Sequence, residues 1–243
     1  MAPVTRATQG VLLTLVGAVL IRITIDDTYL RYVNTWMRWP ILVCGVVLVL
    51  LSVSDLVTSS RGPHDGSDEE PDGEPGEEPH RAPRTAWLLF LPPLVIFFVS
   101  PPALGAFLAE RATEAPAPSS EQLDSMLAPL PEEDPVEISV TEFFVRAVYD
   151  QGVSLPERRV SLVGFVSLDD DGHWYVTRLG INCCAADATV TRVVVTGADA
   201  PPRDQWVRVT GTWVDGSGTE KGTTPAVDAE DVETVPAPRY EYE

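Results

Sequence analysis

The residues of this chain with the clearest capacity for chemistry are two adjacent cysteines followed closely by an aspartate. Cys183, Cys184 and Asp187 lie in the run GINCCAADA, residues 180–188. Thiolates bind soft transition metals such as zinc, and Asp187 or His173 would complete the ligand shell. Because neighbouring side chains on a strand point to opposite faces, both sulfurs reach one metal only if this run forms a turn.

Two other interpretations of the cysteine pair stay open at the level of sequence. The two thiols are compatible with a strained vicinal disulfide that works as a redox switch. They are equally compatible with two small buried side chains in a tight crossover, in which Asp187 merely caps the turn. We take a transition-metal site at Cys183, Cys184 and Asp187 as the leading functional hypothesis.

A weaker candidate lies in the acidic segment 59–85, where eight carboxylates separate His64 from His80. The segment is rich in Asp, Glu, Pro and Gly and has no apolar periodicity, which predicts a disordered linker. His64 and His80 suggest a weak cation-binding loop, although flexible and widely spaced ligands pay a high entropic cost to converge. A solvated acidic loop is the plainer interpretation.

The remaining residues contain none of the common catalytic sets. No Ser-His-Asp elbow, phosphate-binding glycine loop or His-Glu-x-x-His motif occurs, so we do not expect an enzyme. The net charge of −19 argues against nucleic acid as a partner, because phosphate binding needs clustered Lys and Arg.

The cysteine run lies within a predicted β-rich C-terminal domain, residues 136–243, whose strands must position it. Alternating apolar residues predict five strands, and Asp169-Asp170-Asp171-Gly172 predicts a turn between the first two. The predicted strands are 159–168, 173–179, 189–196, 205–214 and a weaker one at 223–235. Five short strands in about a hundred residues are typical of a small OB-like barrel. Gly164 and Gly211 inside strands suggest bulges or sharp coiling.

A short amphipathic helix is expected to lead into this domain. Residues 141–149 begin with Thr141 as a capping residue and place Phe144, Ala147 and Val148 on one face. A strand is the alternative for this segment. The preceding Pro/Glu-rich spacer, residues 109–135, has room for one helical turn at 121–127.

The N-terminal part predicts a membrane anchor. Residues 1–58 hold two long apolar runs, Val11–Ile25 and Pro40–Val57, joined by a short loop, which indicates a transmembrane helical hairpin. A cleaved signal peptide is the competing interpretation of the first run. A third uncharged run, 86–108, contains two Pro-Pro pairs and predicts a third transmembrane helix, with a re-entrant segment as the alternative.

Three spans place the two termini on opposite sides of the cell membrane. Arg and Lys are almost balanced between the two sides, so charge does not decide the orientation. With the N-terminus inside, the multi-pass arrangement puts the C-terminal domain outside the cytoplasm.

Taken together, these features resemble the YcgQ-like family of bacterial permease subunits. The resemblance covers nearly the whole chain and is carried by the hairpin, the further span, the NCCAADA motif at 182–188, the WVRVTGT strand at 206–212 and the tyrosines at 240 and 242. It implies pairing with a separate multi-span permease, with a suspected link to metal, zinc among the candidates. Family members often carry a loop rich in His and Cys between the second and third spans, whereas this chain has an acidic one.

These observations predict an accessory subunit of a two-component membrane permease complex, linked to metal ion handling. Two apolar helices and a third span with almost no charge offer no lined pathway for independent transport. The alternative is a membrane-tethered metal chaperone or thiol redox sensor that acts without a permease.

Overall fold

A computed structural model describes residues 6–60, 88, 91–98, 105–109, 113–220 and 222–243. They fall into two compact units. The first comprises the described residues within Met1–Tyr29 and Thr35–Pro102, and the second those within Leu30–Asn34 and Ala103–Glu243. The short segment Leu30–Asn34 therefore belongs to the same unit as the C-terminal sheet, although it joins two helices of the first unit.

Two long helices dominate the first unit, α1 (Arg6–Ile25) and α2 (Arg38–Ser60). They pack closely because glycines face each other: a Cβ atom added to Gly17 would lie 2.7 Å from the Gly45 carbonyl oxygen. Polar contacts join them as well, since the Ser52 hydroxyl donates to the Gly10 carbonyl oxygen at 2.7 Å and lies 2.8 Å from Thr14 Oγ1. Small residues and hydroxyl pairs of this kind are typical of helices that associate in an apolar medium.

One described helix, Thr35–Ser54, is long and apolar enough to cross a membrane, judged by length and composition. Only 11% of that segment is buried, which is unlike the core helix of a soluble protein. The first helix contributes a shorter apolar stretch, Gln9–Ile25. The N-terminal region thus has the composition of a membrane anchor or a signal sequence.

The predicted third span lies partly outside the described residues. Its described part contains helix α3 (Leu91–Phe98) and the single turn α4 (Ala106–Ala109), which belongs to the second unit. Pro92 and Pro93 stand in the first turn of α3, where a missing amide hydrogen costs no helical hydrogen bond. Of the predicted acidic linker 59–85, residues 59 and 60 belong to α2 instead, and residues 61–85, with His64 and His80, lie outside the described residues.

The second unit is mostly β-sheet. After α4 its elements are β1 (Thr113–Glu114), α5 (Ser120–Met126), β2 (Val136–Glu137), α6 (Val140–Val148), β3 (Arg159–Leu168), β4 (Trp174–Gly180), β5 (Thr189–Thr196), β6 (Trp206–Trp213) and β7 (Ala226–Thr234). The sequence-based bounds of the third and fifth of these strands, 159–168 and 189–196, are confirmed to the residue. Those of the other long strands are confirmed to within three residues at either end.

The five long strands pair in a closed ring. Their order is β5-β4-β3-β6-β7, and β7 pairs in turn with β5. All of these pairings are antiparallel except β5 with β7, which is parallel. The two short strands flank the ring, with β1 parallel to β5 and β2 parallel to β3.

The predicted bulge at Gly211 is confirmed, because the β6–β7 register shifts between Thr210 and Gly211. A Cβ atom at Gly211 would lie 2.1 Å from the Asp228 carbonyl oxygen, so a larger residue does not fit there. At Gly164 the pairing with β6 is regular, and the close neighbour is instead the Thr177 carbonyl oxygen, 2.6 Å from an added Cβ.

The leading helix is confirmed in type and corrected in register. Ser139, rather than Thr141, caps α6, and its hydroxyl accepts a hydrogen bond from the Glu142 amide at 2.9 Å. Phe143 is fully buried, whereas Phe144 is half-buried, so the inward face is shifted by one residue from the prediction. Ala147 lies on the buried face as predicted, and Phe143 takes the inward place that was expected for Phe144.

Two hydrophobic clusters hold the second unit together. The larger one lies between α6 and the ring and includes Phe143, Leu155, Leu162 and Val176. The smaller one lies against α4 and the end of β4 and includes Leu179, Ile181 and Tyr242. The second cluster sits directly beside the cysteine run, and so fixes the strand end from which that run departs.

Candidate functional site

The cysteine run forms a tight turn between β4 and β5. After Gly180 the chain leaves the sheet, and Ala185–Asp187 makes a single 3-10 turn. The Asp187 carboxylate closes the structure, because Oδ1 accepts from the Asn182 amide at 3.0 Å and Oδ2 from the Cys183 amide at 2.8 Å. We call residues 181–188 the thiol turn.

Both thiols of this turn are free and half-buried, and their sulfurs lie 3.7 Å apart. A disulfide requires a sulfur–sulfur distance of about 2.05 Å. Two sulfurs bound to one tetrahedral zinc ion, each about 2.3 Å from the metal, lie about 3.8 Å apart. The turn thus meets the condition set by the sequence, that both sulfurs be presented together.

Asp187 controls the charge of the site. A hydrogen bond from the thiol to the Asp187 carboxylate is the main reason that the pKa of Cys183 is raised, to about 11, with the contact to Cys184 and burial adding to it. The same contact, together with the backbone amides, lowers the pKa of Asp187. A protonated thiol is a poor nucleophile, whereas an ionised carboxylate beside two sulfurs attracts a cation.

A segment distant in sequence completes the surroundings of the thiol turn. Val33 forms an antiparallel bridge with Cys184. The Asn34 amide donates to the Cys183 carbonyl oxygen at 3.1 Å, and the Ala185 amide donates to the Tyr32 carbonyl oxygen at 2.7 Å. The Asn34 side chain adds a hydrogen bond from Nδ2 to the Ile181 carbonyl oxygen at 3.0 Å. All of these residues belong to the second compact unit.

His173 is not part of this site. It precedes β4, whereas the cysteines follow it, and the seven residues of that strand extend about 20 Å. His173 instead approaches Asp169, with 3.1 Å between Nδ1 and Oδ2. The sequence-based option that His173 completes the shell of the cysteine pair is therefore wrong.

Asp169, Asp171 and His173 form a second group with ligand chemistry, since one ligand atom from each lies within 4.8 Å of the others. Both Asp169 oxygens are already engaged, however. Oδ1 accepts from the Asp171 and His173 amides, and Oδ2 accepts from the Tyr175 hydroxyl at 2.7 Å. These contacts, the Tyr175 hydrogen bond foremost, lower the pKa of Asp169 to about 2. Asp169 is thus explained as a cap of the hairpin turn.

The end of the chain packs near the thiol turn and was not identified from sequence. Tyr242 is buried, and its hydroxyl donates to the Arg31 carbonyl oxygen. Glu243 accepts from the Thr141 amide at 2.9 Å and pairs with Arg178 at 3.2 Å. Burial lowers the pKa of the Arg178 guanidinium, and the Glu243 carboxylate works against that shift.

Of the predicted site residues, the structure therefore brings Cys183, Cys184 and Asp187 together in one turn. Asn34 and Tyr242 are the neighbours that sequence reasoning missed. Tyr242 contributes to the family resemblance, which does not place it beside the cysteines, and nothing local in the sequence connects Asn34 with a turn almost 150 positions later.

Comparison with known proteins identifies a family for the C-terminal part of the chain. Residues 118–243, more than half of the chain, match the family model described as the DUF1980 C-terminal domain. No curated protein and no solved structure matches the chain. The matched region contains the whole ring of strands and the thiol turn, which is consistent with the YcgQ-like resemblance.

Proposed function

The chain belongs to the DUF1980 C-terminal domain family, and on that premise we propose that it is an accessory subunit of a bacterial two-component membrane permease complex. In this proposal a separate multi-span permease supplies the pathway, and the β-sheet unit binds a transition metal such as zinc at Cys183 and Cys184. Asp187 shapes the turn and contributes negative charge.

The observation that carries the metal assignment is the 3.7 Å separation of the two sulfurs. It is close to the spacing of two thiolates on one tetrahedral zinc ion, about 3.8 Å. Half-burial leaves the sulfurs within reach of an ion, and the Asp187 charge favours a cation. Metal binding then consists of the loss of thiol protons and the formation of sulfur–metal bonds.

The alternative assignment is a membrane-tethered metal chaperone or a thiol redox sensor that works without a permease. The metal-chaperone form shares the thiol geometry and differs only in its partner. The redox form is less favoured, because the raised pKa of Cys183 keeps that thiol protonated near neutral pH and thiolate is the species that exchanges with disulfides.

An accessory role agrees with the helices that are described. No charged residue occurs between Ile41 and Ser54 of α2, and the hydroxyls of Thr14 and Ser52 bond each other at 2.8 Å. Transport sites inside membranes are normally built from ionisable side chains or interrupted helices at the bilayer centre. The hairpin is therefore better suited to anchoring and helix association than to transport.

We also propose that the ring of strands is a small OB-type barrel outside the cytoplasm, on a three-span anchor. The order β5-β4-β3-β6-β7 with a parallel closing pair supports the barrel. The spans are supported by the assignment of Leu30–Asn34 and Ala103–Glu243 to one compact unit. If α2 crosses the membrane after Asn34, the chain must cross again before it returns to that unit.

Zinc binding by the full-length chain in detergent micelles, kept reduced, tests the metal assignment. Competition with a chromogenic chelator should give one equivalent of zinc in the wild type. The Cys183→Ser/Cys184→Ser variant should lose about a hundredfold or more in affinity, because both sulfur ligands are gone. His173→Gln is the matched control and should bind as the wild type does. Equal zinc binding by the wild type and the double serine variant would refute the assignment.

The partner is tested separately by crosslinking in native membranes followed by affinity purification of the tagged chain. A multi-span permease recovered in stoichiometric amount is the expected result. Recovery of the chain without any multi-span protein, while the zinc affinity is intact, would support the metal chaperone instead.

A further inference from the structure

The thiol turn is held from two sides. On one side the Asp187 carboxylate accepts the amides of Asn182 and Cys183. On the other side the segment Leu30–Asn34, which we call the hairpin loop, takes up the carbonyl oxygens of Ile181 and Cys183 and the amide of Ala185. Donors and acceptors on both faces of the turn are therefore fixed by other groups.

The hairpin loop also has an anchor of its own. Leu30 is buried, and the Arg31 carbonyl oxygen accepts a hydrogen bond from the buried Tyr242. Tyr242 in turn is attached to the start of the turn, because it bridges to Leu179 and the next amide, that of Glu243, donates to the Leu179 carbonyl oxygen at 2.9 Å. Loop, thiol turn and tail thus form one continuous set of hydrogen bonds.

We infer that the hairpin loop positions the two thiols for metal, with Asn34 as the principal positioning residue. Asn34 alone contributes two bonds to the turn, from its amide to Cys183 and from its side chain to Ile181. These bonds hold the Ile181 and Cys183 carbonyl groups in place. They thereby stabilise the backbone conformation in which the two sulfurs lie 3.7 Å apart. The inference rests on the proposed metal site.

Loop pairing and metal binding must affect each other equally, because they are thermodynamically linked. If loop pairing raises the affinity of the turn for metal, metal must stabilise loop pairing by the same factor. The hairpin loop is part of the connection between α1 and α2, and its pairing with the turn is therefore expected to be tighter when metal is bound. Loss of the metal then weakens the attachment of this loop to the β-sheet unit.

The test is zinc affinity of the full-length chain in micelles, for the wild type and for Asn34→Ala. The variant loses the bond to Ile181 and leaves that carbonyl oxygen unpaired, so the affinity should fall about three- to tenfold. Thr28→Ala changes a polar residue of the same connection outside the hairpin loop and should leave the affinity unchanged. The melting temperature of the metal-free protein is recorded for each, to separate positioning from a general loss of stability.

Hydrogen exchange supplies a readout of the reciprocal effect. Zinc should slow exchange of the Asn34 and Ala185 amides in the wild type, since both are donors in the pairing. No slowing is expected in Cys183→Ser/Cys184→Ser.

Zinc affinities of the wild type and Asn34→Ala that agree within about twofold, at equal metal-free stability, would overturn the positioning role while leaving the metal site in place. Unchanged exchange at Asn34 on zinc addition would overturn it as well. Equal zinc binding by the wild type and Cys183→Ser/Cys184→Ser, or no binding by either, would remove both this inference and the metal assignment.

Discussion

The turns at the two ends of β4 are built in the same way and differ in what they offer a ligand. The β3–β4 turn is closed by Asp169, which accepts amides of Asp171 and His173, and the β4–β5 turn is closed by Asp187, which accepts amides of Asn182 and Cys183. In each case one carboxylate satisfies amides that a tight turn leaves unpaired. The local architecture is shared.

The difference lies in the groups that the carboxylate leaves available. At the first turn the imidazole of His173 and the hydroxyl of Tyr175 bond the capping carboxylate itself. At the second turn the ligand atoms are two sulfurs 3.7 Å apart, of which that of Cys183 also bonds the cap, and the hairpin loop pairs with the backbone of the turn. Both caps thus bond neighbouring side chains, and what distinguishes the second turn is a pair of sulfurs at the separation expected for two ligands of one metal ion.

The largest expected effect removes the scaffold that both turns share. Leu162 in β3 is fully buried, and Leu162→Ala should lower the free energy of unfolding by about 2–5 kcal/mol. Hydrogen exchange should then accelerate at the Cys183 and Asp171 amides alike. Val153→Ala, at a side chain that is 76% exposed, is the control and should change stability by less than about 0.5 kcal/mol. A loss confined to one turn would show that the two are not supported by a common core.

The next largest effect is the pH dependence of zinc affinity, which is expected for the thiol turn and not for the β3–β4 turn. Zinc must displace protons from the thiols, and the pKa of Cys183 is raised to about 11. Between pH 6 and pH 8 the zinc affinity should therefore rise about tenfold per pH unit for each proton released. The Asp169 carboxylate, with its pKa at about 2, stays ionised throughout this range and contributes no such slope.

Isothermal titration at three pH values in two buffers of different ionisation enthalpy measures the number of protons released. A flat pH profile would mean that zinc is held by groups other than the thiols.

A smaller effect is expected when the charge of one capping carboxylate is removed. Asp187→Asn removes the carboxylate that holds the pKa of Cys183 at about 11, so this pKa should fall toward its ordinary value. Alkylation of Cys183 at pH 8 should then accelerate about tenfold, since a larger thiolate fraction outweighs the lower nucleophilicity of a more acidic thiol. Site-resolved mass spectrometry distinguishes Cys183 from Cys184 and Cys44. Asp169→Asn is the matched control, and an equal acceleration there would contradict a local cause.

The strands and turns that depend on short stretches of chain could be predicted from the sequence. Alternation of apolar residues gave β3 and β5 to the residue, and the run of three aspartates before Gly172 gave the hairpin turn. The position of the adjacent cysteines between two predicted strands placed them in a connection, which the structure shows to be a turn. Each of these signals lies within about ten residues, where turn chemistry and strand period act directly.

The parts that were missed depend on contacts far apart in the chain. Thr141 looked like a helix cap because nothing nearby shows that its amide, and that of Val140, bond the carboxylate of Glu243. Asn34 reaches the carbonyl oxygen of Ile181, 147 positions later. Such pairings are decided by tertiary packing, and no periodicity within either segment carries that information.

The smallest expected effect concerns the β3–β4 turn alone and asks whether its cap is electrostatically independent of the thiol turn. The Tyr175 hydroxyl is the main cause of the low pKa of Asp169, about 2, so Tyr175→Phe should raise that pKa toward the usual value near 4. Because the folded pKa is depressed, the carboxylate stabilises the fold above about pH 4 and loses that contribution as the pH falls through about 2. Unfolding by denaturant at pH 5, 4, 3 and 2 should therefore show a shallower acid-dependent loss in Tyr175→Phe than in the wild type. Zinc affinity at neutral pH should not change, since Tyr175 is the second residue of β4 and the cysteines follow the end of that strand. An identical acid dependence in the two proteins would show that this hydrogen bond does not set the pKa of Asp169, and a weaker zinc site in Tyr175→Phe would show that the two turns are coupled through the strand between them.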